Sequence, residues 1–168
     1  MTIVRPNRGA AAHHDGHNAA HLWEQTGILL DRMRGVEGAP TMAVHQIPLW
    51  GPKEAISAED MRTVVFVDKG MDGYALLRAE AYVVTAGTGD TTVQVRNMGL
   101  DSIGPYMLST EITIDSGEVN SMDAATQPVV DEANANVVWG DHLAIDVLTV
   151  ATGALGLGVV LTFGVPRI

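Results

Sequence analysis

"VVWGDHLAIDVLTVATGALGLGVVLTF", Val137–Phe163, decides the fold. From Leu143 onward it is nearly long and apolar enough to cross a bilayer, which takes about 20 mainly apolar residues. Asp146 lies inside it, and an acid at a helix centre costs about 2.5–3.5 kcal/mol on insertion. Gly153, Gly156, Gly158 and Gly164 each weaken a helix by up to about 1 kcal/mol relative to Ala. No basic cluster flanks the stretch to set an orientation. Its period is two: Leu143, Ile145 and Val147 alternate with Ala144, Asp146 and Leu148, and Val159, Leu161 and Phe163 with Val160, Thr162 and Gly164. Period two is the strand signal, and "TGALG" between the runs is a turn signal. The reading is two paired strands, about 142–150 and 157–165, closing a sheet, with Ile145 inward, Ala144 outward and no membrane insertion.

Working outward, the rest of the chain has the same character. The 168 residues are 46% hydrophobic and only 18% charged, with 18 glycines and 7 prolines, which suits short strands joined by turns. "RTVVFVD" reads as a strand. "GYALLRAEAYVVT" reads as a long one with Ala75, Leu77, Ala79, Ala81 and Val83 on one face. "GTGD" reads as a hairpin turn into "TTVQVRN", with Val93 and Val95 inward, and "LSTEITIDSG" places Ile112 and Ile114 inward. The polar stretch from Ser121 to Val138 has room for a short strand at Pro128–Asp131. The fold class is all-β: an antiparallel, jelly-roll-like β-sandwich over 61–168.

Two segments precede it. Residues 36–60 form a Pro- and Gly-rich connector in which "TMAVHQIPLW" fits an edge strand, because Pro48 is excluded from a central one. Residues 1–35 form an arm and one short helix, "NAAHLWEQTGILLDRMRG", capped by Asn18 or Asp15 and stopped at Gly35. Leu22, Leu29 and Met33 lie on a seam about two heptads long, too short to associate alone. That seam and Trp23 are candidates for contacts between copies of the chain.

Charge divides the same way. The first 35 residues carry four Arg against three acids; the remainder carries six Lys/Arg against seventeen acids, within a net charge of −10. An acidic body repels phosphate, so nucleic acid is not an expected partner. Arg5 and Arg8 are placed to meet an acidic partner. With no cysteine there is no disulfide framework and no thiolate chemistry. The N-terminus lacks the apolar core of a secretory signal, so a cytoplasmic product is expected.

The search for catalytic chemistry returns little. His13, His17 and His21 are four apart, but Gly16 interrupts them and no further ligand completes a metal motif. Asp141, His142 and Ser121 form no recognisable nucleophile motif. Glu59–Asp60 and Asp131–Glu132 read as solvated turn acids, and "GTGD" and "GALGLG" do not lead from a strand into a helix as a phosphate loop must. No catalytic residue, metal site or cofactor is expected, and the chain is not read as an enzyme. Phe66 and Phe163 are assigned to the core, and Trp50 and Trp139 to interfaces.

"GYALLRAEAYVVTAGTGDTTVQVRN", "MLSTEITIDSGE" and "WGDHLAIDVLTVATGALGLGVVLTF" resemble the β-sandwich domain of small structural proteins of tailed bacteriophages. The helix within "HHDGHNAAHLWEQTGILLDRM" is similar to short helices that precede such domains in virion fibres. The resemblance implies a trimeric, jelly-roll-like component of the virion, assembled in the host cytoplasm. Within that class the first reading, which the absence of catalytic motifs and the short length fit, is a capsid decoration or cement protein that binds the major capsid protein or another virion protein and stabilises the head shell. The alternative it leaves is a tail-fibre, head-fibre or baseplate component contacting host surface glycans.

Overall fold

The computed structural model describes residues 42–100 and 104–165. They form an antiparallel all-β sandwich. The strands are β1 (Met42–Pro48), β2 (Glu59–Phe66), β3 (Ala75–Thr85), β4 (Thr91–Asn97), β5 (Leu108–Thr110), β6 (Ile112–Ile114), β7 (Val129–Val130), β8 (His142–Thr149) and β9 (Leu155–Gly164). One sheet has the order β1-β9-β3, the other β2-β8-β4-β6, and β5 pairs with β7. Among the described residues no helix is long and apolar enough to cross a membrane.

The core lies between the two larger sheets. Ala79, Ala81 and Val83 of β3 and Leu157, Val159, Leu161 and Phe163 of β9 meet Val93 and Val95 of β4, Ile112 and Ile114 of β6, and Leu143, Ile145 and Val147 of β8. These are the inward positions that period two assigns, and the two final strands begin and end within two residues of the expected bounds. β1 is an edge strand, as Pro48 requires, and it pairs with β9 along its whole length.

The pairing differs from the expected one. β8 and β9 do not pair with each other; they belong to opposite sheets, as do β3 and β4. "TGALG" and "GTGD" are therefore crossings between sheets rather than hairpin turns. The two crossings hold each other, because Thr88 and Thr152 exchange both backbone hydrogen bonds at 2.9 Å. The approach is close: a Cβ on Gly87 would stand 2.7 Å from Ala151 Cβ and 2.9 Å from the Thr152 carbonyl oxygen.

Three local departures have physical causes. In β3 the register against β9 shifts between Leu76 and Arg78, so Leu76 turns inward and Leu77 outward, contrary to a strict alternation. "LSTEITI" divides at Glu111, giving β5 to the small sheet and β6 to the larger. Phe66 is 55% exposed and only Phe163 of the two phenylalanines is in the core. Ala144, on the outer face of β8, is fully buried, because that face is covered by the chain itself.

The cover is a buried polar clasp. Between Glu59 and Thr63, four positions of β2 span two of β8, from Val147 to Ile145, and Met61 adopts a positive φ of 49° in the resulting bulge. The Met61 amide donates to Asp146 Oδ1 at 2.7 Å, and Arg96 Nη2 donates to Asp146 Oδ2 at 2.6 Å. The Arg96 guanidinium lies over the Tyr106 ring, 4.8 Å from its centroid, and Nη2 also donates to the Tyr106 hydroxyl at 2.9 Å. Burial works to lower the Arg96 pKa; the charge and hydrogen bond of Asp146 more than offset it and hold the guanidinium above its usual value. Asp146, an outer-face position by its period, is thus a fully buried acid joining β2, β4 and β8.

Candidate interaction surface

One end of the four-stranded sheet gathers exposed apolar side chains. β2 ends at Phe66, which meets the His142 ring edge to face, with centroids 5.7 Å apart. Phe66 and His142 are register partners, so both side chains stand on the outer face of the sheet. Beyond them come Leu100, 82% exposed, and the turn that carries Val138 and Trp139, 54% and 58% exposed. Leu100 reaches this turn: its Cδ2 would lie 3.5 Å from a Cβ on Gly140.

These residues are presented by well-anchored backbone. The Val67 amide donates to the Asp141 carbonyl at 2.9 Å and the Gly140 amide to the Val67 carbonyl at 3.0 Å. Asp141, almost fully buried, accepts through Oδ2 from the Val138 amide at 3.0 Å and from Asn97 Nδ2 at 3.1 Å. The Trp139 amide donates to Asp72 Oδ1 at 3.0 Å, and the Lys69 ammonium lies 6.0 Å from the Trp139 ring centroid. Gly140 takes a positive φ of 97°, which lets the turn reverse without strain. On the other side, the His142 amide donates to the Gly99 carbonyl at 3.0 Å, and the Met98 amide to the His142 carbonyl at 2.8 Å. Holding apolar rings in water on a fixed turn stabilises no core, and rigid exposed apolar groups are what a protein contact uses.

The other residues singled out in the sequence fall elsewhere. Trp50 is buried, with the Arg62 guanidinium 4.2 Å from its ring centroid, so its ring packs within the chain. Arg62 is fixed there by donating Nη2 and Nε to the Leu49 carbonyl at 3.0 and 3.2 Å. Arg5, Arg8, Leu22, Trp23, Leu29 and Met33, and the histidines His13, His17 and His21, lie outside the described residues.

Asp141, His142 and Ser121 do not form a relay. The Asp141 carboxylate is taken up by Asn97 and Val138, and His142 Nδ1 faces the Gly99 carbonyl at 3.3 Å. Ser121 is buried against the edge of β3 that faces away from β9, where its Oγ accepts from the Ala81 amide at 3.0 Å. Asp131 accepts from the Ala133 amide and Asn134 Nδ2 at 3.1 and 2.7 Å, the bonding of a turn acid. Among the described residues no three His, Cys, Asp or Glu side chains are grouped to hold a metal ion.

A groove of about 690 Å³ runs along β3 between Leu76 and Glu80 on one side and Gln127–Val130 on the other. A smaller one, about 360 Å³, lies between Asn97, Gly104, Asn134 and Asp141. The first is lined by the Arg78–Glu80 ion pair and by Glu132, the second by Asp141, whose carboxylate is taken up by Asn97 and Val138.

Compared with family models, curated proteins and solved structures, the chain matches none of them.

Proposed function

We propose that the chain is a structural protein that works by binding another protein surface, and specifically a capsid decoration protein of a tailed bacteriophage. The observation that carries the binding role is the exposed platform of Phe66, Leu100 and Trp139, of which Trp139 stands on the hydrogen-bonded turn at 137–141, Phe66 at the end of β2 and Leu100 beside Gly140. Aromatic groups on a rigid backbone lose little conformational freedom when covered, and they dominate the energetics of protein contacts. A place in the virion is supported by the resemblance of residues 73–97, 107–118 and 139–163 to phage β-sandwich domains, and decoration is the role that needs a binding surface and no catalytic motif. In this reading the platform seats on the major capsid protein, Arg5 and Arg8 add attraction to an acidic neighbour, and the seam of Leu22, Leu29 and Met33 with Trp23 joins copies into a homotrimer. The protein then resides in the virion and needs no cofactor.

The test is co-sedimentation of the purified protein with phage heads that lack it. Trp139→Ala combined with Leu100→Ala should reduce bound protein at least tenfold without changing the melting temperature, since both side chains are exposed. Arg5→Glu with Arg8→Glu should weaken binding more at low salt than at high, because exposed charges are screened beyond about 8–10 Å. Undiminished binding by the Trp139 and Leu100 double variant rejects the platform. Binding to host surface glycans, with none to heads, replaces decoration by the fibre reading.

A further inference from the structure

The two larger sheets have four edges, and three of them are protected against pairing. β3 is covered by the 119–137 segment: the Val83 amide donates to the Val119 carbonyl, the Ser121 amide to the Ala81 carbonyl, and the Leu76 amide to the Ala135 carbonyl, at 2.9, 2.9 and 2.8 Å. β2 is bulged and carries Glu59, Asp60 and Arg62. β6 has three residues. Charges, bulges, shortness and cover are the ways sheet proteins blunt their edges. β1 has none of these four; its one protecting residue is Pro48, at the last position of the strand. Its seven residues, Met-Ala-Val-His-Gln-Ile-Pro, include no Asp, Glu, Lys or Arg and pair with β9 without a register shift. Among the described residues nothing pairs with its other edge.

The direction of each backbone group on β1 is fixed by its pairing. The Leu49 amide donates to the Leu157 carbonyl at 2.8 Å, so alternate residues from Leu49 back to Ala43 turn their polar groups toward β9. Met42, Val44 and Gln46 therefore turn theirs outward. Pro48 belongs to the outward set, and its missing N–H costs the β1–β9 ladder nothing. The side chains of Met42 and Val44 are 54% and 64% exposed on the outer face of the sheet.

We infer that β1 pairs antiparallel with β1 of a second copy of this chain, across a two-fold axis at Val44. In that register Val44 faces Val44 of the second copy and Met42 faces Gln46. Each outward amide of Met42, Val44 and Gln46 finds a carbonyl, while Pro48 stays outside the paired region. Even-numbered residues oppose even-numbered ones, so the outer faces of the two three-stranded sheets join into one six-stranded sheet, β3-β9-β1-β1-β9-β3.

Charge favours a copy of the same chain at this edge. The whole chain carries a net charge of −10, so two copies repel over most of their surface. β1 is uncharged, and the two charged side chains on the outer face of its sheet, Arg78 and Glu80, are paired with each other. An antiparallel pair places the two Met42 residues at opposite ends of the joint. A two-fold joint at β1 is independent of shell binding, and it stands in place of the trimer that the resemblance implies.

The experiment uses the full chain. Sedimentation equilibrium should give a mass of two chains, with dissociation on dilution, because one strand edge is a contact at the small end of the range. Val44→Lys places like charges directly opposite and should return one chain at the same concentration, with the sheet circular-dichroism signal unchanged. The register is tested by cross-linking, which is unambiguous in a chain without cysteine. Directly opposed, hydrogen-bonded residues have Cα atoms about 5.5 Å apart, within disulfide reach. Val44→Cys should give a covalent dimer under mild oxidation, and Gln46→Cys alone should give at least tenfold less. A single chain up to about 1 mM, a three-chain mass, or cross-linking by Gln46→Cys as efficient as by Val44→Cys would each overturn the inference.

Discussion

Asp146 is a fully buried carboxylate held by the Met61 amide and the Arg96 guanidinium. Its period puts it on the outside of β8, as an ordinary solvated acid. It is instead fully buried, and the reason lies 85 residues away, in the Met61 amide that the β2 bulge turns toward it. A buried acid is tolerable only with its oxygens occupied, and here a backbone amide and a guanidinium take them. Removing one partner leaves the other buried and alone, which costs about 3–5 kcal/mol where burial is complete. Arg96→Met leaves the fully buried Asp146 without its guanidinium and should therefore destabilise the fold by about that amount. Asp146→Ala should cost less, since the Arg96 side chain it leaves behind keeps 19% exposure. The double variant should cost less than the sum of the two, with the difference read from urea midpoints in a double-mutant cycle. Additive losses would show that the two side chains do not stabilise each other.

At the scale of elements, the strands were legible and their partners were not. A half-buried strand prints its alternation into the sequence, which is why Val93, Val95, Ile112, Ile114, Leu143 and Ile145 could be assigned inward. A glycine-rich turn carries no mark of whether the chain returns in the same sheet or crosses to the facing one. Gly87 and Gly89 show the difference once the crossing is known. A Cβ on Gly87 meets Ala151 and the backbone of Thr152 and Ala154, whereas Gly89 has open space but a positive φ of 91°. Gly89→Ala should cost about 1–2 kcal/mol through its backbone conformation. Gly87→Ala must push the two crossings apart, and should cost at least as much and also lose amide-exchange protection at Thr88 and Thr152, which Gly89→Ala should preserve. The interaction platform was half legible. Trp139 could be picked out as an aromatic in a turn, but Phe66 looked like core because it lies inside the apolar run Val64–Val67, and Leu100 is a lone apolar residue after Gly99 with no period to place it.

For the molecule as a whole, residues from Pro40 onward cluster into one unit apart from residues 1–39. β1 belongs to that unit through its pairing with β9, although its sequence sits in the Pro- and Gly-rich connector. A chain begun at Pro40 should therefore keep its sheet circular-dichroism signal and melt in one cooperative step. One begun at Glu59 lacks β1, leaves an edge of β9 bare, and should melt lower and aggregate. Equal melting temperatures for the two would show that β1 contributes nothing to the fold.

The place of β9 has a consequence for how the chain comes into being. It is the middle strand of its sheet, yet it is synthesised after both neighbours, β1 and β3. A ribosome adding about 5–20 residues per second needs several seconds to go from the end of β3 to the start of β9. Throughout that time the nascent polypeptide holds two strands prepared for a partner not yet made. Any mishap of translation that stops short of Leu155 would release a chain with nothing to put between them. For this polypeptide the final strand is the keystone, and premature termination yields no smaller version of the sandwich.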